Sequence, residues 1–75
     1  MDIRRVFGAN VRSYRLAAGL SQEAVAVRMG LDRAYVSAIE RGQQNVTLLS
    51  IWQIAQALGV RPADLLAENA LKSKS

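Results

Sequence analysis

Glycines at positions 19, 30, 42 and 59 cut this chain into short segments. Each of them closes a stretch whose apolar residues recur at three- and four-residue spacing, the period of an amphipathic helix. Glycine tolerates the left-handed backbone that ends a helix, so all four read as helix stops. Starts are marked as well: Ser21 precedes 22–29, Asp32 precedes 33–41, and Thr47 precedes 48–58. Side-chain oxygens at such positions accept from the unpaired N–H groups of a first helical turn. Pro62 suits the first turn of a last helix, where its missing N–H does no harm.

The first helix opens less sharply. Its apolar stripe is Ile3, Phe7, Val11, Tyr14 and Ala18, and Gly8 within it costs about 1 kcal/mol relative to alanine. The run Ala24-Val25-Ala26-Val27 tolerates strand geometry, but it lies between a cap and Met29-Gly30 and reads as helix. The expected fold is therefore all-α and compact, with five helices at 3–18, 22–29, 33–41, 48–58 and 62–69. A single domain over 1–70 is expected, followed by a frayed tail at 71–75, with no repeat and no linker.

Composition removes several function classes. Cysteine and histidine are both absent, which excludes disulfides, thiol chemistry, the usual zinc sites and the commonest general base near neutral pH. The six carboxylates, Asp2, Glu23, Asp32, Glu40, Asp64 and Glu68, are scattered. No metal-ligand cluster and no phosphate-cradling glycine loop is present, so neither an enzyme nor a metal or other cofactor is expected. The longest apolar run is the four residues Ala24 to Val27. No membrane partner is expected from so short a run, and the reading is a cytoplasmic, nucleoid-associated protein. Ten basic against six acidic residues leave a net charge of +4, a hint of an anionic partner.

The informative stretch runs from Leu20 to Gly42. Two helices too short to survive alone are joined by Gly30-Leu31-Asp32, so the chain turns sharply and the second helix crosses the first. At 100° per residue, Val36 and Ile39 define the buried side of that second helix, with Glu40 near it. Ala34, Ser37 and Ala38 point away, flanked by Arg33 and Tyr35. Small residues at the centre of a face permit close approach to another surface, and the N-terminal turn is the part that meets base edges in helix-turn-helix proteins.

These residues resemble the phage-repressor/Cro-like (XRE-type) helix-turn-helix family. The resemblance covers about Phe7 to Leu66. It is carried by Arg12 and Arg15, Gly19-Leu20-Ser21-Gln22, Val25-Ala26, Gly30-Leu31, the run Val36 to Gly42, and Ile54-Ala55-Gln56-Ala57-Leu58-Gly59-Val60. Within the family, Leu31 to Ser37 with Glu40-Arg41-Gly42 and Asn45 is most similar to restriction–modification controller proteins. The resemblance implies base reading by Arg33, Ala34, Tyr35, Ser37 and Ala38. It implies phosphate contact by Ser21, Gln22, Arg41, Gln43, Gln44 and Asn45, and a structural ion pair between Arg15 and Glu40. The implied function is sequence-specific transcriptional regulation on a double-stranded DNA operator, with contact to the transcription machinery left open.

The interval Gln43 to Val60 holds no charged residue, so helix 4 is expected to meet something other than water on its second face. Its core stripe reads as Leu48, Ile51, Ile54, Ala55 and Leu58. A homodimer contact is expected through Leu49, Trp52, Gln53 and Gln56, with Leu65 and Leu66 from helix 5. Two subunits so joined would read a pseudo-palindrome. The competing reading is an antitoxin-like or adaptor module that uses helix 4 or 5 to bind another protein.

Overall fold

A computed structural model of the chain describes residues 2–68. Five helices follow in order: α1 Ile3–Ala17, α2 Gln22–Met29, α3 Arg33–Glu40, α4 Leu48–Leu58 and α5 Pro62–Leu66. No strand occurs among the described residues, in keeping with the all-α expectation. The tail expected at 71–75 lies outside them.

Most helix boundaries follow from local chemistry. The Ser21 hydroxyl accepts from the Ala24 N–H at 3.0 Å, and the Thr47 hydroxyl accepts from Ser50 N–H at the same distance. α1 is opened by Asp2, whose carboxylate accepts from the Arg4 N–H, a cap not recognised in the sequence. Asp32 occupies the capping position of α3, but its side chain makes no capping bond. α1 stops at Ala17 and α3 at Glu40, each one residue short of expectation. α5 departs further, ending at Leu66 rather than at residue 69. The buried Asn10 side chain donates to the carbonyls of Leu65 and Ala67, at 2.9 and 3.0 Å. Ala67 has turned to extended backbone, φ −75° and ψ 121°, to present its oxygen there.

Every helix contributes to one core, built from Phe7 and Val11 of α1, Val25 and Ala26 of α2, Val36 and Ile39 of α3, Ile54, Ala55, Ala57 and Leu58 of α4, and Leu65 of α5. Burying a side chain of the size of Ile39, Ile54 or Leu65 contributes roughly 1.5–3 kcal/mol. Two parts of the expected stripes fail to reach this core. Ile3, which begins α1, and Ala18, which follows its end, are exposed, and Leu48 is 85% exposed. The helical angle of Leu48 is right, but it stands at the very start of α4; Ile51 packs against the core margin, and the fully buried residues of α4 lie between Ile54 and Leu58.

Gly8 has a role that its helix propensity conceals. A β-carbon at this position would overlap the Ile39 carbonyl oxygen and come within 2.8 Å of that of Glu40. α1 and α3 therefore meet backbone against backbone, and this contact fixes how far α3 sits from the body of the molecule.

Candidate nucleic-acid interface

The link between α2 and α3 is closed by its own backbone. Gly30, at φ +70°, donates to the Val27 carbonyl at 3.1 Å, and Leu31 donates to that of Ala26 at 2.8 Å. The turn satisfies the last carbonyls of α2 and starts α3 two residues later. Val36 and Ile39 then enter the core, which leaves Arg33 and Ala34 fully on the outside and Tyr35, Ser37 and Ala38 half-buried. Tyr35 packs its ring against the core margin. Arg33 shares a shallow depression with Arg15, Ser21, Gln22 and Glu23, so the first turns of α2 and α3 open on the same side.

Beneath that depression lies a charged network. The Arg15 guanidinium reaches Glu40 through two bonds, Nε to Oε2 at 2.6 Å and Nη2 to Oε1 at 3.1 Å. Its Nη1 donates to the Leu20 carbonyl at 2.9 Å. Both side chains are almost fully buried. The hydrogen bond to Glu40 raises the arginine pKa above its usual value, outweighing the opposing effect of desolvation. The Gln22 side chain joins the same carboxylate, Nε2 donating to Oε1 at 3.1 Å. One acidic group of α3 thus holds a residue of α1 and one of α2. The Gln22 link depends on how the helices cross and has no trace in local sequence.

The segment after α3 carries the other residues implied at phosphate. Arg41 donates from Nη1 to the Ser37 hydroxyl and from Nε to the Gln43 carboxamide oxygen at 3.1 Å, so it lies back along α3. Asn45 is exposed, and its side-chain oxygen accepts from Arg4 Nη1 at 3.5 Å. Gln44 is half-buried.

On α4, Leu49 and Trp52 are 63% and 50% exposed, with Gln53 and Gln56 exposed beside them. Leu66 is 39% exposed. Leu65 is fully buried, which corrects its expected place on a subunit interface: α5 turns this residue inward and Leu66 outward. Arg28 donates from Nη1 to the Ala57 carbonyl at 2.8 Å. It places a cation at the C-terminal end of α4, where the helix dipole is negative. No helix among the described residues is long and apolar enough to cross a membrane.

A turn closed in this way, with a second short helix exposed along one face, defines a helix-turn-helix protein. The helix-turn-helix family matches residues 11–65, and the chain belongs to that family in its XRE-type form, among the DNA-binding transcriptional regulators. The control protein C.BamHI of Bacillus amyloliquefaciens is 50% identical over 66 residues, covering 87% of this chain and 82% of its own. The crystal structure of the restriction–modification controller C.AhdI from Aeromonas hydrophila superposes with a TM-score of 0.79 at 48% identity, over 83% of this chain and 94% of that one. The controller C.Esp1396I, solved as a tetramer with its 35 base-pair operator, superposes with a TM-score of 0.78 at 31% identity, over 87% and 86% of the two chains.

Proposed function

We propose that the protein is a homodimeric regulator that binds a pseudo-palindromic operator, with α3 lying in the major groove of each half-site. The division of α3 carries this reading. Val36 and Ile39 anchor it, while Arg33 and Ala34 stand in solvent at its leading end. Arg33 makes no ion pair among the described residues. A guanidinium so placed can donate bidentately to a guanine, worth about 1–3 kcal/mol of discrimination. Ala34 is small enough to lie against a thymine methyl, and Tyr35, Ser37 and Ala38 complete the surface. Ser21, Gln22, Arg41, Gln43, Gln44 and Asn45 bracket it and are assigned to the phosphates that set its register.

Subunit pairing is assigned to Leu49, Trp52, Gln53 and Gln56 of α4, with Leu66 at the edge. Large apolar side chains exposed on a helix without charge favour a protein neighbour over water. Pairing there would present two α3 helices about one DNA turn, ~34 Å, apart. The operator complex of C.Esp1396I supports the same class of ligand. Selection of bound duplexes from a random library tests the reading. A symmetric pair of half-sites at fixed spacing is expected, and recovery of sequence-indifferent DNA would refute it.

A further inference from the structure

The first turn of α1 bears on the phosphate-contacting segment in a way the sequence did not reveal. A β-carbon on Gly42 would stand 2.9 Å from Arg5 Cγ and 3.2 Å from Arg5 Cα. The backbone of α1 therefore crosses directly over the end of α3, and Gly42, at φ +75°, is the residue that lets it do so. A separate contact ties the same two pieces of chain together. Arg4 bonds the Asn45 side chain through Nη1, while its Nε and Nη2 hold the Asp2 carboxylate at 3.2 and 2.9 Å. Two adjacent arginines thus flank the loop that begins at Arg41, but their charges stand in different situations.

Arg4 is neutralised by Asp2, whose carboxyl is lowered to about 2 by its hydrogen bonds with Arg4 and stays ionised at neutral pH. Two other arginines are likewise matched by acids, Arg15 by Glu40 and Arg61 by Asp64. Arg28 is turned to the end of α4. Arg5 is exposed and makes no ion pair among the described residues, Asp2 acting on it only at longer range. Its aliphatic stem rests on Gly42, so its charge is carried at the margin of the loop rather than on a remote face.

We propose that Arg5 is a further DNA-phosphate contact, extending the backbone-gripping rim past the 41–45 loop, and that the Asp2–Arg4 pair acts beside it as the brace that holds Asn45 in place. A single duplex would then be gripped by three separate pieces of chain: the start of α1, the start of α2 and the loop after α3. The contact adds affinity without sequence preference, because a phosphate carries no base identity. The inference rests on the proposed docking of α3 in the major groove, and it can fail while that docking stands.

Binding of the full chain to a selected operator and to a scrambled duplex, measured across a salt series, tests it. Each phosphate contact contributes a slope of about −0.9 to log K against log salt. Arg5→Gln is expected to make the slope shallower by about that amount per subunit and to weaken both duplexes by the same factor, leaving their ratio unchanged. Arg61→Gln, a loss of equal charge just before α5, is expected to leave the slope at its wild-type value. Phosphate-ethylation interference should lose one position per half-site in Arg5→Gln. An unchanged slope and unchanged interference pattern in Arg5→Gln, with Arg33→Ala still weakening operator preference, overturns the Arg5 contact alone. Wild-type protein that prefers no duplex overturns it together with the docking on which it rests.

Discussion

Arg15 and Glu40 face each other across the α1–α3 crossing, joined by two hydrogen bonds of 2.6 and 3.1 Å in an almost fully buried setting. The second carboxylate oxygen also receives the Gln22 amide, so the pair is shared between helix packing and the proposed DNA surface.

Removing the acid should leave a buried guanidinium without its counter-charge. Glu40→Ala is expected to lower unfolding free energy by about 3–5 kcal/mol, read from urea denaturation. Retention of wild-type stability would show that the pair is solvated in solution.

Gly8→Ala is expected to destabilise the protein although alanine is the better helix former by about 1 kcal/mol. The added carbon has backbone rather than a flexible side chain to displace. A net loss of about 1–3 kcal/mol, seen as a lower Tm, matches the usual cost of overpacking.

Asn10→Ala removes the donor that ends α5. Two carbonyls would lose their partner, at about 1–3 kcal/mol for a buried unsatisfied group. Amide exchange is the discriminating measurement: protection should fall at Leu65 and Leu66 before it falls in α2 or α3.

Asp2 has a depressed pKa, about 2 against 3.8, so its capping contribution is complete above 3.8 and lost as pH falls through about 2. Hydrogen exchange in the first turn of α1 should therefore rise over that acid window, and Asp2→Asn should abolish the dependence.

For the proposed dimer, Trp52→Ala should shift the sedimenting species toward monomer without unfolding it, since the ring is half exposed. Arg33→Ala should cost about 1–3 kcal/mol of operator discrimination with the fold intact. An unchanged dimer in the first case would move the interface off α4.

The parts of this molecule that were legible in advance are those decided within one helical turn. Ser21, Thr47 and the glycines after α2 and α4 act on backbone groups a few residues away, and those helices fall where their caps place them. The angular division of α3 was legible for the same reason, since Val36 and Ile39 need only a helix and an apolar interior. What escaped depends on distant chain. The end of α5 is set by Asn10, 55 residues from Leu65 in sequence. The exposure of Leu48 is set by where α4 overhangs its neighbours. Gly8 and Gly42 looked like ordinary helix liabilities or stops, because the backbone each one accommodates belongs to another segment.

The bond from Arg28 to the last turn of α4 has a mechanical consequence. It ties the helix that leads into the turn to the helix assigned to subunit pairing. A dimer built this way would behave as a rigid caliper, its jaw opening set by protein geometry rather than by the duplex. Operators lengthened or shortened by one base pair between half-sites would then be rejected sharply, and releasing that tie would broaden the range of spacers accepted.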